Sequence, residues 1–109
     1  MNKEFNCPVE ATISLIGGKY KSVILFHLMG KTLRYSELHK KIPKATDKML
    51  AQQLRELEKD GLIKRTVYPV VPPKTEYNLT EFGESLSPIL NAMCNWGESY
   101  LNIPSQCVE

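Results

Sequence analysis

No lysine or arginine follows Lys74, although the chain holds fourteen of them in 109 residues. The first 74 residues set these fourteen bases against seven acids, a balance of +7. The remaining 35 hold five acids and no base, a balance of −5 that the net charge of +2 conceals. Such a split separates a part suited to a polyanion from a part that should avoid one. Long apolar runs are also missing: none approaches the roughly 18 residues of a membrane span. The N-terminal residues lack the apolar stretch of a secretion signal. A cytoplasmic, nucleoid-associated protein with no membrane partner is expected. Cysteine is sparse: Cys7, Cys94 and Cys107 form an odd set without CxxC spacing, which argues against a structural disulfide framework. His27 and His39 are the only histidines, so no zinc-ligand spacing arises, and neither metal nor cofactor is expected. There is no GxSxG, no HExxH, no phosphate-cradling glycine loop and no convergent carboxylate pair, so an enzyme is not expected.

What remains has the composition of an ordinary globular domain, 42% hydrophobic and 24% charged. Cys7-Pro8-Val9-Glu10 starts a helix, with proline at the first helical position and an acid at the positive end of the dipole. That helix carries Val9, Ile13 and Ile16 and stops at Gly17-Gly18. A second helix over 19–29 turns Tyr20, Val23, Ile24, Phe26 and Leu28 inward and ends at Gly30. Residues 33–35 form a short extended run. Ser36 then caps a brief helix over 37–42, and Pro43-Lys44-Ala45 breaks it.

The most informative stretch is 46–80. Thr46 caps an amphipathic helix over 46–60 that stops at Gly61. At 100° per residue, Leu50, Leu54 and Leu57 form one stripe, while Lys48, Ala51, Gln52, Arg55 and Lys59 fall opposite. Extended runs at 62–68 and 75–79 follow, hinged by the tip Pro69-Val-Val-Pro-Pro73, where three prolines exclude regular ladder pairing. Strict alternation fails at Arg65, between Ile63 and Val67. Thr80 caps a last long helix, kinked at Pro88, whose broad apolar stripe includes Phe82, Leu86, Ile89, Leu90, Met93, Trp96 and Tyr100. That stripe exceeds what so small a domain covers by itself. The expected fold is mainly α with a small β wing, a winged helix-turn-helix over 1–101 with a loose tail over 102–109.

The chain resembles the HxlR-type branch of the MarR-like winged-helix regulators of bacteria and archaea, over roughly residues 7–96. The likeness rests on Cys7-Pro8-Val9-Glu10, Ile16-Gly-Gly-Lys19, Arg34-Tyr-Ser-Glu-Leu38, Met49-Leu-Ala-Gln-Gln-Leu-Arg-Glu-Leu-Glu58, Asp60-Gly-Leu-Ile-Lys-Arg65, the proline tip and Glu76-Tyr-Asn-Leu-Thr80. Tyr20 stands where the family commonly has tryptophan. The resemblance implies a homodimeric transcription factor, expected to be a repressor, paired through its N-terminal segment and last helix. The dimer candidates are the seven stripe residues just named. Some family members sense electrophiles or oxidants at the position of Cys7, where a helix N-terminus would favour the thiolate; the other reading of Cys7 is a small buried helix-cap residue. Thr46, Lys48, Ala51, Gln52 and Arg55 are the candidates for reading double-stranded DNA in the major groove. Lys19, Lys21, Arg34, Lys40, Lys41, Lys44, Lys64, Arg65 and Lys74 are the candidates for phosphate and wing contacts. Arg65 has a second reading, an ion pair within the fold. Cys94 is expected to pack, and Cys107 to resolve an oxidised partner. A small effector, the operator and the regulated genes are not specified by the sequence. The alternative is a winged-helix module that binds protein and needs no positive face.

Overall fold

The computed structural model describes residues 5–104. The elements are α1 (Pro8–Ile16), α2 (Lys21–Leu28), β1 (Leu33–Arg34), α3 (Tyr35–Lys41), α4 (Asp47–Lys59), β2 (Ile63–Tyr68), β3 (Lys74–Leu79), α5 (Glu81–Glu84) and α6 (Ser87–Leu101). The three strands form one antiparallel sheet in the order β1-β3-β2. Leu33 pairs with Tyr77 on one side of β3, and the β2–β3 ladder runs from Ile63–Leu79 to Tyr68–Lys74. This arrangement is a winged helix-turn-helix, with α3 and α4 as the helix pair and β2–β3 as the wing.

The core lies where α2, α4 and the root of the sheet meet. Ile24, Leu25 and Leu28 of α2 are fully covered, as are Leu38, Leu50, Leu57 and Leu62. Covering one such side chain stabilises by about 1.5–3 kcal/mol, so this cluster fixes how α4 is presented. Leu25 takes the inward place that the sequence gives to Val23, which is 40% exposed. The irregular alternation of β2 now has a cause. Only Ile63 reaches the core; beyond it the strand projects into solvent, where neither face must be apolar.

Two expectations need correction. The short helix begins at Tyr35, before Ser36, and its start is held by the Glu37 carboxylate, which accepts the Arg34 backbone N–H at 2.8 Å. The last long helix is two helices. Thr80 does cap the first, accepting from Gly83 N at 3.0 Å, but Pro88 opens α6 and kinks nothing. A proline lacks an N–H that the first turn does not use, so this position carries no penalty. The break also lets Gly83 press on the Leu62 carbonyl, closer than any Cβ would permit. Of the apolar residues that α1 carries, only Ile16 is buried, while Val9 and Ile13 face outward at 64% and 57% exposure. Helix α6 ends at Asn102, whose φ of 58° is the left-handed turn that closes many helices. Most of the tail expected over 102–109 lies outside the described residues.

Candidate nucleic-acid interface

Helix α4 presents its polar face because its other face is committed to the core. Leu50, Leu54 and Leu57 are buried, which leaves Thr46, Lys48, Gln52 and Arg55 exposed and Ala51 half-buried. The helix start is firmly set: the Thr46 hydroxyl accepts the Met49 N–H at 3.1 Å. Asp47, beside it, receives hydrogen bonds on the same carboxylate oxygen from Tyr35 Oη at 3.0 Å and lies 3.1 Å from His39 Nδ1. The turn of the helix-turn-helix is therefore cross-braced from α3.

Arg55 does not stand alone. The wing brings Arg65 to the same place, and the two arginines border a hollow of about 390 Å³ with Ala51, Leu54, Glu58 and Tyr77. Arg65 has no ion pair among the described residues, so the second reading of it as tied to an internal acid receives no support. Arg34 and Lys74, 40 residues apart in sequence, line a second cleft of about 560 Å³ between the start of α3 and the wing tip. Lys74 is steadied there, its Nζ 4.7 Å from the Tyr68 ring centroid and 3.7 Å from Glu76 Oε2. Glu76 in turn accepts from the Tyr68 phenol, which raises the pKa of Tyr68. Lys19, Lys40, Lys41, Lys44 and Lys64 are exposed, each able to meet a phosphate without rearrangement.

Lys21 is the exception. Its side chain is buried and its Nζ sits 2.7 Å from Glu56 Oε1, so it is an internal ion-pair partner and not a phosphate contact. Glu56 also accepts from Gln52 Nε2 at 3.2 Å. Lys21 first, and Gln52 second, hold the Glu56 carboxyl below its ordinary pKa. Gln52 thus stands exposed but oriented, one of its two amide N–H donors given to Glu56 and its carbonyl oxygen and other N–H left free.

Sequence reasoning missed Gln53. It is buried, and its Oε1 accepts the Tyr20 backbone N–H at 3.1 Å, joining α4 to the turn between α1 and α2. Gly18 makes room for it, since a Cβ there would come within 2.6 Å of that oxygen. The helical angle of position 53, at the edge of the core stripe next to Leu57, was the available signal.

A second exposed surface is apolar. On α5 and α6, Phe82, Ile89, Met93, Trp96 and Tyr100 are turned to solvent, with Trp96 and Tyr100 stacked at 5.3 Å. Two of the expected interface residues are not part of it. Leu86 and Leu90 are buried in the protomer's own core, because they sit on the side of the stripe that faces α2 and the sheet root. Cys7 is an exposed free thiol at the start of α1, where its backbone carbonyl accepts the Glu10 N–H at 3.0 Å. Cys94 lines a small apolar hollow with Val23, Phe26 and Met93, a packed position as expected. The expected role of Cys107 lies outside the described residues. Among those residues no group of three or more metal-ligating side chains converges, and no helix is long and apolar enough to cross a membrane.

Comparison with known proteins agrees with this geometry. The HxlR-like helix-turn-helix family model matches residues 15–105. The HTH-type transcriptional regulator YtcD of Bacillus subtilis is 55% identical over 100 residues, covering 92% of this chain and 79% of that protein. An HTH-type transcriptional regulator of Methanothermobacter thermautotrophicus is 54% identical over 97 residues, covering 89% of this chain and 74% of its own length. Among solved structures, the oxidised form of the redox regulator HypR superposes with a TM-score of 0.82 at 50% identity, over 85% of this chain and 96% of that one. With its α3–α4 pair, exposed polar face and wing, the chain belongs to the HxlR-like helix-turn-helix family of transcriptional regulators.

Proposed function

We propose that the protein binds double-stranded DNA sequence-specifically as a homodimer and represses transcription from a pseudo-palindromic operator. The observation that carries this reading is the exposed Arg55–Arg65 pair on α4 and the wing, set in a cationic part of the chain. Lys19, Arg34, Lys40, Lys41, Lys44, Lys64 and Lys74 would neutralise phosphates and release counterions, so affinity should fall steeply with salt. Arg55 and Gln52 would read base edges in the major groove, with Thr46, Lys48 and Ala51 beside them. The wing would reach the neighbouring minor groove or its phosphates. Twofold symmetry supports half-sites one turn apart, about 34–36 Å, or a multiple of it. The apolar surface of α1, α5 and α6 is the candidate for the dimer contact.

The decisive experiment selects duplexes from a random pool with the native protein. A symmetric consensus whose binding weakens with salt supports the proposal. Enrichment of no sequence, with salt-independent binding to random duplex, would leave the protein-binding module as the better reading.

Redox control through Cys7 is part of the proposal. HypR is a redox regulator by name, and Cys7 is exposed and free here. Diamide or a quinone should weaken operator binding by the native protein and leave Cys7→Ser unaffected; equal sensitivity would remove Cys7 from the mechanism. The setting is the cytoplasm, in association with the nucleoid. Residues 1–101 act as one domain.

A further inference from the structure

His39 lies between two hydrogen-bond acceptors. Its Nε2 is 2.9 Å from the Ala45 carbonyl oxygen, and its Nδ1 is 3.1 Å from Asp47 Oδ1. A carbonyl and a carboxylate only accept, while a neutral imidazole carries a single N–H. One of the two contacts would then set lone pair against lone pair; the imidazolium donates to both. The carboxylate cannot easily turn away, because Tyr35 Oη donates to the same oxygen at 3.0 Å. Burial first, then Asp47, pushes the Tyr35 phenol up to about 12, so that donor persists throughout the range in which histidine titrates.

The position of this ring matters as much as its chemistry. Ala45 and Asp47 flank Thr46, the capping residue of α4, so His39 grips the recognition helix on both sides of its start. Asp47 is 78% exposed at the end of α4 that would lie deepest in the groove. An unpaired carboxylate there repels phosphate, and an imidazolium offsets it.

We infer that His39 is a positioning residue for DNA, acting as an imidazolium that fixes the start of α4 and offsets Asp47, so that duplex binding takes up a proton. The inference rests on the DNA-binding reading above. Affinity is then greatest where the ring is protonated and falls as pH rises. The surrounding groups are few. Asp47 faces the ring from α4. Tyr35 and Lys40 of α3 line the same shallow hollow, with Pro43. Lys44 and Lys48 lie on the turn and on α4. On α2 the nearby histidine is His27, whose pKa is lowered first by burial and then by Lys41 and Lys31.

The test is fluorescence anisotropy at fixed salt, using a labelled duplex recovered from a random pool by the native protein. Between pH about 6 and 8 the native affinity should drop roughly threefold to tenfold further than that of His39→Gln, the span of up to one proton-linked decade. His39→Arg, with a fixed charge, should bind well and show the flat profile of His39→Gln. His27→Gln should keep the native slope. Parallel slopes for native protein and His39→Gln overturn the inference, as does a neutral tautomer of His39 in long-range nitrogen spectra of the complex at pH about 6. Failure of the native protein to bind any duplex even at that pH is a different outcome: it removes the DNA-binding reading and this inference with it.

Discussion

Trp96 on α6 and Arg55 on α4 are both turned to solvent, yet their surroundings have opposite character. Around Trp96 the exposed neighbours are Met93 and Tyr100, in a stretch of chain that contains acids and no base. Around Arg55 they are Gln52, Glu58 and Arg65, in the stretch that holds every base. An apolar surface loses little when another such surface covers it, whereas a guanidinium surface is costly to cover with anything but matched acceptors. The contrast teaches that one small domain can carry two outer surfaces of different chemistry, apolar on α6 and cationic around α4. The charge division of the chain near Lys74 follows the same separation.

The comparison breaks most visibly at Trp96. Trp96→Asp should leave the fold intact, because the side chain is 69% exposed, but should halve the mass seen by sedimentation and abolish operator binding. Unchanged mass would move the dimer contact elsewhere. Leu90→Ala, one position from Ile89 but buried at 2% exposure, should instead cost about 2–5 kcal/mol in denaturant unfolding. The two substitutions together separate an interface face from a core face on one helix. Arg55→Ala should lose about 1–3 kcal/mol of discrimination in gel shifts and keep its weak binding to unrelated duplex. Retained operator preference would remove Arg55 from the reading set. Thr46→Ala should cost about 1 kcal/mol of stability, the usual value of a helix cap, read from the thermal midpoint. The smallest effect concerns His27. Burial, followed by Lys41 and Lys31, lowers its pKa, so the unfolded chain takes up this proton more readily than the folded one. Stability should therefore fall as pH drops below the ordinary value of 6.5 and through the lowered one. His27→Gln should flatten that part of the profile.

Much of this was legible in residue spacing. Leu50, Leu54 and Leu57 repeat at helical intervals between a capping threonine and Gly61, so both the existence of α4 and its outward face follow from local pattern. The charge division is a property of the chain and needs no structure. Other features depend on contacts distant in sequence. Lys21 and Glu56 lie 35 positions apart, and nothing near Lys21 marks it as buried. Pro88 fits either a kink or a helix start, and the choice is made where Gly83 meets the Leu62 carbonyl. Val9 and Ile13 have the same periodicity whether they pack inward or await another surface. The clefts pairing Arg55 with Arg65, and Arg34 with Lys74, required the wing to be folded back on α3 and α4.

The bond from Tyr20 to Gln53 has one more effect. It ties the segment that follows α1 to the inner side of the very helix whose outer side carries Gln52, so a substitution that displaces Gln53 should disturb that outer side as well. A genetic screen for regulators that no longer hold their operator should consequently return Gly18 substitutions, lesions in a residue with no side chain to offer a base pair.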